Sequence, residues 1–281
     1  MGEVRTDATP GSGPGAGHNP SVDPMSKTSR EIADWLRQHL TMGGAQGFAV
    51  GLSGGIDSAV VARLCQMAAP GNVVGVIMPC HSAQSDAADA RLVAEHFAIP
   101  TMHIDLGSAF DRLVEDVRAS FAQALDDQTP TAGGGEDDAR AQRTIGNLKA
   151  RLRMSSLYFV ANSLNYLVAG TGNRSELMIG YFTKYGDGGV DVLPVGNLLK
   201  GEVRRLAREL NVPDAILDKA PSAGLWVGQT DEQEMGFTYA ELERYVTEGP
   251  DAVSPALAMR IERLVRASDH KRALPPFPEV E

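Results

Sequence analysis

The sequence lacks several features that define common protein classes. Its two cysteines, Cys65 and Cys80, form no Cys-x-x-Cys pair, so neither a disulfide framework nor a structural zinc site is expected. No apolar run approaches the roughly 18 residues of a membrane span, and the N-terminus has no apolar core like that of a signal peptide. We therefore expect a cytoplasmic protein with no membrane partner.

Positive charge is also scarce. The 281 residues carry 26 Lys and Arg against 36 Asp and Glu, which gives a net charge of −10. Proteins that bind nucleic acids usually present a basic surface, so no nucleic-acid partner is expected. A site for an anionic nucleotide must then be a local cluster of Lys and Arg within an acidic protein.

The order of apolar segments predicts the fold class. Residues 1–25 are rich in Gly, Pro and Ser, a composition that predicts a flexible low-complexity tail. For residues 26–281 we predict a single domain with a flexible insertion at 126–143. The predicted strands are 48–52, 72–78, 101–106 and 166–169, and the predicted helices are 58–69, 86–97, 107–125 and 145–163, preceded by a helix that Ser29 caps. This alternation predicts an α/β fold with a doubly wound parallel sheet flanked by helices. Residues after 185 predict loops and then a helical C-terminal part from Tyr239.

A turn rich in glycine and serine follows the first predicted strand and leads into a helix. It comprises Gly51, Leu52, Ser53, Gly54, Gly55, Ile56, Asp57 and Ser58. Backbone N–H groups at the positive end of a helix dipole bind anions, and glycines let a ligand approach the backbone closely. The carboxylate of Asp57 could hold a metal ion. The turn therefore predicts a cradle for a polyphosphate.

This turn differs from two common nucleotide-binding loops. It lacks the lysine of a Walker A loop, and its spacing is not Gly-x-Gly-x-x-Gly. The pattern Ser-Gly-Gly-x-Asp-Ser resembles the pyrophosphate loop of ATP pyrophosphatases, which transfer AMP from ATP to a substrate oxygen. A second polar turn, 170–173, follows the predicted strand 166–169. Because parallel strands end at one sheet edge, we expect the two turns to lie together.

Further segments resemble one branch of that family, the NAD synthetases. They are 170–176, 180–191, 219–226 and 228–232, together with Lys149-Ala150-Arg151 and His270-Lys271-Arg272. The resemblance implies a two-step reaction. The nicotinate carboxylate of deamido-NAD attacks the α-phosphorus of ATP and releases pyrophosphate, and ammonia then displaces AMP to give NAD. It also implies a Mg²⁺ cofactor and a homodimer with the dinucleotide site at its interface.

The resemblance also implies roles for individual residues. ATP would be bound by the turn 51–58 with Thr171, Lys200 and Ser222, and Mg²⁺ by Asp57 and Glu176. Deamido-NAD would be bound by Arg151, Lys184, Asp191, His270 and Lys271. Lys200 would supply the charge that the turn lacks, and Asp57 and Lys200 would support the transition state. This chemistry needs no protein nucleophile.

Alternatives remain open at this point. Enzymes similar to GMP synthetase, tRNA-modifying enzymes and an inactive nucleotide sensor could share the turn. Taken singly, Lys200 could be a solvated lysine before a helix, Glu176 a surface acid, and Arg151 one basic residue on a helix face. The short N-terminal segment leaves no room for a glutaminase domain, so we expect direct use of ammonia, although a separate glutaminase partner stays open.

Overall fold

The computed structural model describes residues 27–124, 136–226 and 228–279. Its parallel sheet contains β1 (Gly47–Gly51), β2 (Val73–Ile77), β3 (Thr101–His103) and β4 (Tyr166–Ala169), in the order β3-β2-β1-β4. The predicted fold class is confirmed. The predicted tail and residues 126–135 of the predicted insertion lie outside the described residues.

Helices cover both faces of the sheet and form the C-terminal part. They are α1 (Lys27–Gly43), α2 (Ile56–Ala68), α3 (Gln84–His96), α4 (Gly107–Ala124), α5 (Glu136–Leu164), α6 (Arg174–Ile179), α7 (Lys200–Glu209), α8 (Asp214–Leu217), α9 (Asp231–Met235), α10 (Tyr239–Glu248), α11 (Pro255–Ala267) and α12 (Asp269–Arg272), with a 3₁₀ turn at Pro250–Ala252. In the described part of the chain, no helix is both long and apolar enough to cross a bilayer.

Strands β1 and β2 are apolar and buried because helices cover both faces of the sheet there, whereas the edge strand β3 is exposed. Phe48 and Val50 of β1 lie in a buried cluster with residues of α1, α2, α3 and α7. Ala49, between them, faces the opposite cluster, which α4 and α5 complete. This alternation is the period of two that a strand imposes on its side chains.

The strand order creates a crevice beside β1. The chain runs outward from β1 to β2 and β3, and then returns to place β4 on the other side of β1. Connections that leave neighbouring strands in opposite directions open a crevice at the carboxyl ends of those strands. The turns after β1 and β4 therefore border the same crevice, as the sequence predicts.

Several predicted boundaries were wrong. Helix α5 begins at Glu136 rather than at residue 145, because 139–143 (Ala-Arg-Ala-Gln-Arg) are good helix formers. Residues 136–143 of the predicted insertion are therefore helical. Ser29 is a buried residue within α1 rather than its cap.

The region after residue 185, predicted as loops, contains α7, α8 and α9. Helix α7 carried a readable signal, since Val203, Leu206, Ala207 and Leu210 recur at helical spacing and are all buried. Helices α8 and α9 have only four and five residues, which is too short for a periodic pattern.

Candidate active site

A cavity of about 460 Å³ occupies the crevice at the carboxyl ends of the strands. Its walls include the turn after β1, the end of β2, the middle of α5, the turn after β4, the 180–190 region and residues 219–226, which we call the 219–226 segment. Such a position, at the point where the strand order reverses, is where doubly wound proteins bind ligands.

The shape of the turn after β1 depends on one glycine. Gly54 has φ of +76°, and a Cβ there would lie 2.6 Å from the carbonyl oxygen of Asp86 and 2.7 Å from the Cβ of Asp89. A residue with a side chain would therefore be both strained and in collision with α3. Gly54 packs against α3 and does not line the cavity, so its contribution is to the shape of the turn.

Hydroxyl groups fix the rest of the turn. Ser58 Oγ donates to the Gly55 carbonyl at 2.8 Å and lies 3.1 Å from Ser53 Oγ, which accepts a bond from the Gly55 N–H. Gly55 is the N-cap of α2, and no side chain of the described residues caps the first turn of this helix. The N–H groups of that turn are thus left to an anion in the cavity.

A buried lysine lies between two carboxylates at the mouth of the turn. The Lys200 ammonium is 2.5 Å from Asp57 Oδ2 and 3.3 Å from Glu176 Oε1, and the lysine side chain is only 2% exposed. Lys200 is the first residue of α7 and Asp57 lies in the first turn of α2. Lys200, Asp57 and Glu176 therefore form one cluster of charged side chains, which we call the Lys200 centre.

The second acid of this centre is held by a helix cap. The Asn173 side chain accepts a bond from the Glu176 N–H, and the Glu176 carboxylate accepts one from the Asn173 N–H, both at 3.1 Å. Asn173 Nδ2 also donates to Asp57 Oδ1 at 3.1 Å. This capping box ties the turn after β4 to the turn after β1. The Asn-x-x-Glu spacing is the sequence signal from which this helix cap could have been predicted.

Burial and charge set the protonation of the centre. Burial raises the pKa of Glu176 to about 7, with Lys200 opposing the rise and Asp57 adding to it. Burial alone would lower the pKa of Lys200, but the Asp57 and Glu176 carboxylates outweigh it and raise that pKa. Lys200 is therefore a permanent cation at neutral pH.

Polar side chains that sequence reasoning had not assigned extend from this centre. The Tyr239 hydroxyl donates to Asp231 at 2.9 Å, and its oxygen also lies 3.3 Å from Glu176 Oε1. The Tyr181 hydroxyl donates to Glu234 at 2.7 Å, and its oxygen also lies 3.2 Å from Asp231 Oδ1. Asp231 lies in a segment recognised from the sequence, whereas Tyr239 begins an amphipathic helix and carries no sequence signal of a role at the site.

The 219–226 segment is tied to two helices across the cavity. Lys219 forms ion pairs with Asp86 at 2.9 Å and Asp89 at 2.6 Å on α3. Lys149 on α5 donates to the Leu225 carbonyl at 2.9 Å. Ser222, in the middle of this segment, lines the cavity.

The structure brings most of the predicted site residues together. The predicted residues that line the cavity are Gly51, Leu52, Ser53, Gly55, Ile56, Asp57, Ser58, Thr171, Glu176, Lys200, Ser222 and Lys271. Their roles toward ligands stay predictions. The readings of Lys200 as a solvated lysine and of Glu176 as a surface acid were wrong, because both side chains belong to the buried centre.

The other predicted substrate-binding residues lie outside this cavity. Arg151 is exposed on α5 and donates to the Lys184 carbonyl at 3.3 Å. Lys184 donates to the His270 carbonyl. Asp191 accepts bonds from the Val168 N–H at 2.8 Å and from the Tyr158 hydroxyl at 2.9 Å. These groups support the chain around the cavity rather than line it.

A partly buried arginine at the cavity, Arg153, is not among the predicted site residues. Arg153 lines the cavity and donates to the Met78 carbonyl at 3.1 Å and to Ser82 Oγ at 2.9 Å. Arg153 is four residues from Lys149 and so shares its helix face, whereas Arg151 points away.

Cys65 and Cys80 are buried free thiols. Burial raises the pKa of both, so neither is a ready nucleophile.

Comparisons with known proteins agree with this geometry. Residues 28–275 match the family model described as NAD synthase. An NH(3)-dependent NAD(+) synthetase from Carboxydothermus hydrogenoformans is 47% identical over 250 residues, which are 89% of this chain and 96% of the relative.

Two solved structures resemble the fold. An NMN synthetase from Francisella tularensis superimposes with a TM-score of 0.79 at 37% identity, over 90% of this chain and 98% of that one. An NH3-dependent NAD synthetase from Campylobacter jejuni gives a TM-score of 0.70 at 28% identity, over 91% and 100% of the two chains.

Proposed function

This chain belongs to the NAD synthase family, and we propose that its cavity is the site where deamido-NAD is amidated to NAD, with ATP as co-substrate and ammonia as nitrogen donor. The observation that carries this assignment is the Lys200 centre. It places a buried cation 2.5 Å from the acid of an uncapped helix N-terminus, in a cavity at the sheet's reversal point. A reaction that expels pyrophosphate needs hydrogen-bond donors at the departing phosphates, which the Lys200 ammonium and the first turn of α2 would supply. The Asp57 and Glu176 carboxylates beside them are suited to the metal ion that accompanies ATP.

In the first step, the nicotinate carboxylate attacks the α-phosphorus of ATP and pyrophosphate leaves. Negative charge then grows on the departing phosphates. The N–H groups of the first turn of α2 and the Lys200 ammonium are the donors that would stabilise this charge. Ammonia next attacks the acyl carbon of the adenylate, AMP departs, and the amide of NAD remains.

The residues present suit a Mg²⁺ ion. Mg²⁺ usually takes one or two carboxylates and fills its other positions with waters and substrate phosphates. Asp57 and Glu176 supply two carboxylates at the cavity wall. Across the described part of the chain, no three His, Cys, Asp or Glu side chains are grouped to hold a metal by themselves. Asp57 and Glu176 would hold the ion together with ATP, and the ion would neutralise phosphate charge.

We also infer a homodimer. Leu113, Val117 and Phe121 form an exposed apolar row at spacing i, i+4, i+8 on α4, and Phe159 on α5 is 75% exposed. Exposed apolar patches of this kind mark interaction surfaces. The predicted substrate-binding residues outside the cavity would then serve a site shared between subunits. Val117→Glu is expected to yield monomers in light scattering, with Ala119→Glu, at an exposed position on the other side of α4, as the matched charge control. A dimer that survives the first change would rule out this surface.

The similarity to the Francisella tularensis enzyme gives a second candidate substrate. An enzyme that makes NMN by the same chemistry would amidate nicotinate mononucleotide, which is deamido-NAD without its AMP half. GMP synthetase-like and tRNA-modifying activities and the inactive-sensor reading are not favoured, because the curated relatives are NAD synthetases.

An assay with purified protein, ATP and Mg²⁺ tests the function. Deamido-NAD or nicotinate mononucleotide is supplied in separate reactions, each with ammonium or with glutamine. NAD and pyrophosphate should form with deamido-NAD and ammonium. A higher kcat/KM with the mononucleotide would assign the second substrate instead. If neither substrate yields an amide product, the assignment is refuted. The Asp57→Asn variant serves as the control for the site.

A further inference from the structure

The Tyr239 ring is surrounded by apolar side chains, whereas its hydroxyl contacts two carboxylates. Its ring packs with Ile179, Leu242 and Ile261 in a buried cluster of the C-terminal helices, and the residue is 3% exposed. A phenylalanine would fill that space equally well. A buried hydroxyl costs free energy unless it is hydrogen-bonded. Here the hydroxyl donates to Asp231 at 2.9 Å, and its oxygen also contacts Glu176 Oε1 at 3.3 Å.

The position of this hydroxyl is closely defined. Tyr239 is the first residue of α10, which Thr238 and Glu241 cap reciprocally. The Tyr239 N–H donates to Glu232 at 3.0 Å, and the Lys200 ammonium lies 5.0 Å from the centroid of its ring. The backbone, the ring and the hydroxyl are thus all held, so the hydroxyl can act as a fixed reference point for the carboxylates it touches.

A continuous set of hydrogen bonds leads from Asp231 to the 219–226 segment. Tyr181 links Asp231 to Glu234, and Gln229 Nε2 donates to Glu234 at 2.8 Å. Gln229 Oε1 in turn accepts a bond from the Leu225 N–H at 2.9 Å. At the other end, Glu176 contacts Lys200. The Tyr239 hydroxyl lies between two groups of side chains. Asp231 on one side belongs to the hydrogen bonds that reach the 219–226 segment, and Glu176 on the other side belongs to the Lys200 centre.

We propose that Tyr239 is a positioning residue for the amidation reaction, which fixes the Lys200 centre relative to the 219–226 segment by joining Asp231 to Glu176. The proposal rests on the proposed function of the cavity. Tyr239 does not line the cavity and touches no substrate. Its loss therefore changes the alignment of groups that act on ATP rather than the contacts that bind ATP, and small errors of alignment lower kcat steeply.

The test compares Tyr239→Phe with Tyr245→Phe, which also removes a hydroxyl from the same helix and the same apolar cluster. Tyr239→Phe should lower kcat about tenfold and leave the KM for ATP within about twofold. Tyr245→Phe should leave both unchanged, and both variants should remain folded at the assay temperature. Wild-type kcat in Tyr239→Phe would overturn the proposal, as would a loss of activity that matches a loss of folded protein.

Asp231→Asn breaks the same link from the other side and replaces Tyr239→Phe if that variant does not fold. The double variant Tyr239→Phe with Gln229→Ala tests the connection itself. Groups that act as one unit are non-additive, so the double variant should be no slower than the slower single variant. A kcat equal to the product of the two single effects would overturn the proposal. Failure of wild-type protein to form amide would refute the proposed function instead, so the two failures are distinguishable.

Discussion

The Lys200 ammonium lies 2.5 Å from the Asp57 carboxylate, although 143 positions separate the two residues in the chain. The contact joins the N-terminus of α7 to that of α2 and brings a cation to the turn at 51–58, a predicted phosphate loop that contains no Lys or Arg. A Walker A loop carries its lysine within the loop. Here the fold delivers an equivalent charge from a different helix.

Asp57→Asn is expected to lower kcat about 100-fold, since it removes a proposed metal ligand and the partner of Lys200. Lys200 keeps its contact with Glu176, so the loss of stability should be smaller than the roughly 3–5 kcal/mol caused by an isolated buried charge. Steady-state kinetics and urea unfolding measure the two effects. Near-normal kcat in the folded variant would show that Asp57 is not needed at the site.

Gly54→Ala should destabilise the protein by about 3 kcal/mol, because a strained φ is combined with a collision against α3. Gly71→Ala is the matched control, since Gly71 has φ of +82° but nothing within 4 Å of the added Cβ. Its cost should be about 1 kcal/mol, with activity retained. Urea midpoints and kcat are measured for both. Equal destabilisation would show that the turn does not depend on its contact with α3.

Ala98→Gly should stabilise the protein by about 1 kcal/mol. Ala98 is exposed and follows the end of α3 with φ of +51°, a conformation that glycine adopts without strain. Ala88→Gly, at an exposed position inside the same helix, should instead cost about 1 kcal/mol. A lower urea midpoint for Ala98→Gly than for wild type would contradict the strain inferred from this φ.

Glu176 should make the stability of the metal-free protein depend on pH. Its pKa rises from an ordinary value of 4.5 to about 7 on folding, so the folded state holds a proton that the unfolded state releases. Stability from this group is complete below about pH 4.5 and is lost as pH rises to about 7. With a chelator present, the urea midpoint should fall less between pH 5 and pH 7 in Glu176→Gln than in wild type. Equal falls would contradict the raised pKa.

The sequence allowed the sheet and the two turns at its edge to be predicted, because both depend on local signals. Apolar runs placed β1 and β4 within a residue of their observed bounds, and the rule for parallel strands placed 51–58 beside 170–173. Helices α8 and α9 were missed because tertiary contacts, rather than periodicity, define such short elements.

Side-chain partnerships across the fold were harder to predict. Tyr239 meets Glu176 across 63 positions through the packing of α10 on α6, and nothing local to either residue encodes that contact. The basic residues of α5 were recognised as a group, but the sequence could not decide which of them faces the cavity. Arg153 does so, and Arg151 does not.

Isotope transfer tests the reaction assigned to this cavity most directly. Deamido-NAD labelled with ¹⁸O in its nicotinate carboxylate is converted in the presence of ATP, Mg²⁺ and ammonium. The ¹⁸O content of AMP, phosphate and pyrophosphate is then measured by mass spectrometry. Attack of the carboxylate on the α-phosphorus leaves one labelled oxygen in AMP and none in pyrophosphate. Unlabelled AMP, or label in inorganic phosphate or pyrophosphate, would contradict the adenylation of the nicotinate carboxylate that we assign to this cavity.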